Sequence, residues 1–160
     1  MSIKRQAFLF DHQKPVFYCI RRYFFADTSF MLIRFILYGA IGCLMEVFWT
    51  GMGSLMNKDY KLRSTTSIWM FFIYGMVVFL EPIYLLMQSF PIVLRGIIYA
   101  LCIFMGEYII GGGLKRVDLC PWDYTHCRYN VQGVIRLDYA PAWFAAGLIF
   151  ERVFVLLGVA

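Results

Sequence analysis

The sequence predicts an all-α integral membrane protein: four transmembrane helices, an N-terminal interfacial helix and a structured polar loop before the last span. Three observations carry that expectation. Of the 160 residues, 61% are hydrophobic, against roughly 45–50% in soluble domains. The excess falls in runs long enough to cross a bilayer, which takes about 20 residues of helix. All four glutamates (Glu46, Glu81, Glu107, Glu151) lie inside those runs, one in each, whereas every aspartate lies outside them. Finally, the polar stretch from Cys120 to Tyr139 sets Trp122, Tyr124, Tyr129 and Tyr139 among Asp123, Asn130, Gln132 and Asp138. Aromatics alternating with hydrogen-bonding groups suit a folded loop at a membrane interface.

Residues 1–28 mix Lys4, Arg5, Lys14, Arg21 and Arg22 with phenylalanines and tyrosines, a composition that suits a helix lying in the headgroup layer. Residues 29–160 then form a single four-helix transmembrane domain, and the length leaves no room for a second. Asp27-Thr-Ser29 offers N-cap residues. The first span is expected from about Phe30 to Met56, with Arg34 snorkelling to the interface. Gly39, Gly42, Glu46, Thr50 and Gly53 recur at spacings of three and four, so they share one face. Small residues on such a stripe let another backbone approach, and Glu46 within it faces protein.

Residues 57–66 form a basic loop. The second span, about Ile68 to Met87, carries Tyr74, Glu81, Tyr84 and Gln88 on one face. Pro82 removes the bond to the Val78 carbonyl, so an ordinary proline kink competes with a freed carbonyl beside Glu81 as a cation or water ligand. Ser89-Phe-Pro91 marks a turn into the third span. There Arg95 lies near the entry, Glu107 lies deep, and Gly111-Gly-Gly113 is expected to end or loosen the helix. The fourth span is expected from about Ala142 to Val159, with Gly147, Glu151 and Gly158 on one face. No internal repeat is evident, and the Lys and Arg flanks are too evenly divided to set an orientation.

The net charge of +5 does not point to nucleic acid, because basic residues flanking spans meet anionic lipid. Five cysteines (Cys19, Cys43, Cys102, Cys120, Cys127) make no secreted disulfide framework. Cys43 and Cys102 read as small core residues, and a Cys120–Cys127 bridge requires an extracytoplasmic loop. No cleavable signal peptide, P-loop, nucleophile elbow or metalloprotease motif is visible. Cys120, His126 and Cys127 offer only three zinc ligands at an unusual spacing. A dinuclear site would need Glu-x-x-His motifs within the spans, where there is no histidine. No cofactor follows from the residues.

A charge at the bilayer centre costs at least ~2.5–3.5 kcal/mol on insertion scales. Four glutamates must therefore face the bundle interior, pair with cations or stay protonated. They can hold the bundle together, or they can serve a cation or proton pathway. Glu46 and Glu107 are the candidate binding carboxylates, supported by Tyr74 and Asn130, with Glu81 and Glu151 as further candidates. Asp123 and Asn130 can bond the loop's own backbone and free helix ends, while Trp122 and Tyr124 cover the loop from lipid. The loop is then either a structural element or the lid of a polar cavity lined by Glu46 and Glu107.

Trp122-Asp-Tyr124, Asn130, Gly133, Ile135 to Leu137 and Trp143 make a recurrent signature. With Gly42 and Glu46, Ile73-Tyr-Gly75 and Glu107-Tyr108, it spans most of residues 30–150. In these residues the chain resembles the type IV ABC-transporter permease-like family of small multipass membrane proteins, to which a eukaryotic transmembrane family looks related. Thr125 stands where that family has Ser, and the Cys120/Cys127 pair is foreign to it. The resemblance implies a permease label without a nucleotide-binding domain. With a carboxylate in every span, the expected function is that of a small permease-like, multi-pass cell-membrane protein, as a homo-oligomer or with a membrane protein partner, that binds or moves a cation or small polar solute. The alternatives are an intramembrane enzyme holding a lipid headgroup with Asp123, Glu46 and Glu107, and a non-catalytic partner subunit.

Overall fold

The computed structural model describes residues 28–157, so Gly158 and the N-terminal interfacial segment up to Asp27 fall outside the described residues, while Thr28 and Ser29 already belong to the first helix. Helix α1 runs Thr28–Met56, an apolar run free of proline. It ends where Lys58 turns to a positive φ of 63° and the Asp59 N–H bonds the Ser54 carbonyl. The basic loop is tied back to the helix: Thr50 Oγ1 bonds the Thr65 carbonyl, and Ser54 Oγ bonds that of Arg63. Ser67 then caps α2 (Ile68–Gly75), its Oγ accepting the Trp69 N–H at 3.3 Å.

The second span is not one continuous α-helix. After α2 it tightens into a 3-10 turn, Met76–Leu80, and resumes as α3, Glu81–Met87. Pro82 stands in the first turn of α3, where a missing N–H costs nothing. The expectation of a freed carbonyl fails for the same reason. In the tightened turn the Glu81 N–H bonds the Val78 carbonyl, so that oxygen is not left without a partner.

Helix α4 runs Ile92–Arg116, so Gly111-Gly-Gly113, for which the sequence predicts an ended or loosened helix, does not end it. Gly111 is held inside the helix because its missing side chain makes room for Val134 and Trp122. Lys115 and Arg116 close the last turn, where cations suit the helix dipole. The loop that follows contains a two-residue hairpin, β1 (Asn130–Val131) against β2 (Ile135–Arg136). Gln132 and Gly133 turn it with φ values of 53° and 68°, the left-handed pair that primed hairpin turns need. A 3-10 turn, Leu137–Tyr139, leads into α5, Ala140–Leu156.

Four helical stretches are long and apolar enough to cross a membrane: Phe30–Met56, Ile68–Met87, Ile92–Arg116 and Leu137–Leu156. The architecture is all-α, as the sequence predicts. Contacts concentrate within two helical hairpins, α1 against α2 and α4 against α5. Crossing by crossing, the start of α1, the turn at 88–91 and the end of α5 share one end of the bundle. The two longer loops share the other. Tyr38, Val78, Tyr84, Tyr99, Phe150 and Phe154 form the fully buried core between the hairpins, while Leu44, Phe48, Leu101, Met105 and Ile109 point outward.

Candidate functional site

The intramembrane glutamates turn inward but divide into two layers. Nearer the loops, Glu46 of α1 accepts a hydrogen bond from the Tyr74 hydroxyl of α2 at 3.0 Å. Glu107 of α4 accepts one from Trp143 Nε1 of α5 at 3.1 Å. The two carboxylates are within electrostatic range of each other and of Tyr124. Tyr74 reaches Glu46 because the helices touch there: a Cβ on Gly42 would stand 2.0 Å from Tyr74 Cγ. The small-residue stripe therefore works at Gly42 and Gly39, the latter against Phe71, but not at Gly53, which has nothing within 4 Å.

At the other end the carboxylates are paired with arginines. Arg34 lies 3.3 Å from Glu81, and Arg95 Nη1 lies 3.2 Å from Glu151. Tyr38 donates to Glu81 at 2.6 Å, and Tyr99 donates to Glu151 at 3.1 Å. Arg34 does not snorkel. It is 5% exposed, because a carboxylate inside the bundle offers a better partner than the interface when both charges leave water together. Glu81 and Glu151 are thus removed from the Glu46/Glu107 layer. Phe150 stands between the layers, its ring 5.9 Å from that of Tyr38 and 6.1 Å from that of Tyr74. Sequence reading missed both arginines and Tyr38, Tyr99 and Trp143 as partners of the glutamates.

The central loop is a self-bonded lid. Trp122 Nε1 donates to the Val134 carbonyl at 2.9 Å, and its ring lies over Gly111. Asn130 Nδ2 donates to the Cys127 carbonyl at 2.6 Å, and its Oδ1 accepts the Gly133 N–H at 3.0 Å. Asp123 Oδ1 accepts from the hydroxyl and N–H of Thr125 and lies 3.4 Å from Lys115 Nζ. Those Thr125 bonds, with the ammonium behind them, hold the Asp123 carboxyl at about 2. Asp123, through Oδ1, and Asn130 therefore bond within the loop itself. Asp123 is exposed, and its Oδ1 is turned to Thr125 and Lys115.

Tyr124 of the loop lies within electrostatic range of both carboxylates. Burial first, then Glu107, Tyr139 and Glu46, push its phenol well above the usual range. Around it Tyr139 stacks edge-on to Trp49, Tyr124 and Trp143, and the Arg136 guanidinium sits 4.4 Å over the Tyr139 ring. Cys120 and Cys127 are both free thiols. Among the described residues no three His, Cys, Asp or Glu side chains are grouped to hold a metal. An apolar groove between α4 and α5, lined by residues such as Ile97, Phe104, Pro141 and Phe144, has neither Glu46 nor Glu107 in its wall.

Gly133 keys the lid to α4. A Cβ there would stand 2.5 Å from Lys115 Nζ and 2.9 Å from Thr125 Cγ2, on a backbone already at φ 68°. Gly133→Ala is expected to cost about 1–3 kcal/mol, the usual toll of a strained backbone position. It should lower the melting temperature in detergent; an unchanged melt would show that the hairpin is not part of the cooperative unit.

The signature residues, the four spans and the lid fall within one stretch of chain. The model of the family described as Putative ABC-transporter type IV matches residues 33–158. The chain belongs to that family. The match takes in all four glutamates, the two arginines and the whole lid, so the bonded layers lie inside the family's own extent. The protein is a multi-pass, transporter-like membrane protein. No solved structure matches the chain.

Proposed function

We propose that this family member binds or moves a cation or small polar solute, with Glu46 and Glu107 as the binding carboxylates. The supporting observation is their contrast with the other two glutamates. Glu81 and Glu151 each have an arginine beside them. Glu46 and Glu107 lie within electrostatic range of each other, and among the described residues the donors bonded to them, Tyr74 and Trp143, are neutral. Two carboxylates sharing a lipid-shielded region without a bonded cation favour uptake of positive charge, whether as a proton or as a solute. Tyr124 closes the layer toward the loops, and Tyr74 holds Glu46 in place. The outward apolar faces meet the lipid bilayer of a cell membrane, and association with further copies or another membrane protein uses those same faces. An intramembrane enzyme gains no support from Asp123, which is committed to the lid.

The test is cation flux into proteoliposomes loaded with a pH-sensitive dye, challenged in turn with Na+, K+, Mg2+ and tetramethylammonium. One of these is expected to drive a signal that Glu46→Gln/Glu107→Gln reduces at least about tenfold, the change that follows when ~1.4 kcal/mol or more of binding is lost. Melting of the double variant should stay close to the parent. An undiminished signal in it would overturn the reading.

A further inference from the structure

The paired layers contain a regularity that the linear sequence hides. Helix α1 carries Arg34-x3-Tyr38-x7-Glu46, and α4 carries Arg95-x3-Tyr99-x7-Glu107. The three side chains are used identically in both. Arg34 and Tyr38 converge on Glu81 of the returning helix; Arg95 and Tyr99 converge on Glu151. Glu46 then bonds the Tyr74 ring hydroxyl, seven residues before Glu81, and Glu107 bonds the Trp143 ring N–H, eight residues before Glu151. Each of these bonds is made inside one hairpin. Both hairpins run in the same sense, because α1 and α4 start at the same end of the bundle. Parallel repeats of this kind are related by an axis along the membrane normal.

The seam between the hairpins is aromatic. Tyr84 and Phe154 occupy the same place, three residues after the arginine-paired glutamate, and their rings meet at 5.7 Å, as equivalent residues beside a two-fold axis do. Tyr84 also stands edge-on to Tyr99 at 4.9 Å, and Tyr38 to Phe150 at 5.9 Å. Tyr84 is fully buried, yet its hydroxyl has no hydrogen-bond partner among the described residues.

We propose that the protein is two copies of one Arg-x3-Tyr-x7-Glu hairpin, and that the first hairpin rocks against the second about the Tyr84–Phe154 seam. Each hairpin is stiffened internally by an arginine–glutamate–tyrosine triad, so motion concentrates where rings slide on rings. Glu46 and Glu107 are then equivalent residues, one from each copy, facing across the axis. Ionising both drives the copies apart at the loop end; a proton or cation between them draws the copies together. The groups facing this pair are Cys43 on α1, Tyr74 on α2, and Tyr124 with Arg136 beside it in the loop. Use of the motion to carry a solute rests on the function proposed above, but the motion itself does not.

The experiment measures spin-label distances in lipid nanodiscs between pH 5 and 8, on a chain whose five cysteines are replaced by Ala. Labels at Lys61 and Val117, both exposed, report across the hairpins; labels at Val117 and Arg128 report within the second. The Lys61–Val117 distance is expected to lengthen as pH rises while Val117–Arg128 holds, and Glu46→Gln/Glu107→Gln should abolish the lengthening. No change across the seam, or an equal change within the second hairpin, would overturn the proposal. Should the cysteine-free chain fail to fold, hydrogen exchange on the unmodified protein replaces it. Faster exchange of the 76–87 and 146–154 segments at pH 8, after correction for intrinsic rates, supports the rocking; uniform protection rejects it. Flux with fixed distances would reject the rocking alone, and shifting distances without flux would reject the transport function alone.

Discussion

Replacing Arg95 with Met will destabilise the bundle by about 3 kcal/mol, toward the lower end of the 3–5 kcal/mol that follows from breaking a buried ion pair. The cost comes from what is left behind. The Glu151 side chain is 5% exposed, and without Arg95 Nη1 its carboxylate keeps only the Tyr99 hydroxyl among the bonds described. The Arg95 side chain is 17% exposed, which is why the lower end of the range applies. Arg95→Met combined with Glu151→Leu should recover most of the loss, because a pair of apolar side chains leaves no orphaned charge. Unfolding in mixed detergent micelles with increasing SDS, on both single variants and the double, gives the coupling. A single variant within about 0.5 kcal/mol of the parent, the range of an ordinary surface change, would mean that the pair does not hold the second hairpin together.

Gly42→Val tests the upper layer. The first added carbon would meet the Tyr74 ring at 2.0 Å from Cγ and 2.3 Å from Cβ, so either α1 and α2 separate or the ring swings away. Overpacking of a close contact costs about 1–3 kcal/mol, and the swing also breaks the Tyr74–Glu46 bond, worth about 1.5–3 kcal/mol for a charged acceptor. A loss near 3 kcal/mol is expected, together with a loss of any cation-driven flux. Gly53→Val supplies the control. It lies on the same predicted stripe but has nothing within 4 Å, and should melt with the parent. Equal effects at the two positions would show that helix propensity, not the Tyr74 contact, sets the cost.

The contrast between Gly42 and Gly53 also shows where sequence reading stops. Spacing places both on one face of α1, but only the position at which α2 crosses decides which of them is filled. The same limit explains Arg34. Its place near the start of a span suits the interface, and only the arrival of Glu81 on the returning helix turns it inward. Pro82 was legible as a break, but the 3-10 turn that returns the Val78 carbonyl to the Glu81 N–H was not. Gly111 to Gly113 read as the end or a loosening of the helix because glycine is a poor helix former; packing of Trp122 and Val134 on Gly111 keeps the helix running through them. The match of Arg34, Tyr38 and Glu46 with Arg95, Tyr99 and Glu107 is hard to see in the sequence because apolar residues with no register of their own separate them.

Composition and periodicity alone determined four spans, a folded aromatic loop and one carboxylate in each span. Those follow from bilayer thickness and from the cost of leaving charge in hydrocarbon, which act on each segment separately. Tertiary structure decided the division of labour: two glutamates paired with arginines in one layer, two bonded to neutral donors in another, with Phe150 between. That division depends on which helix each face meets and at what height, a relation between distant segments that no single segment encodes.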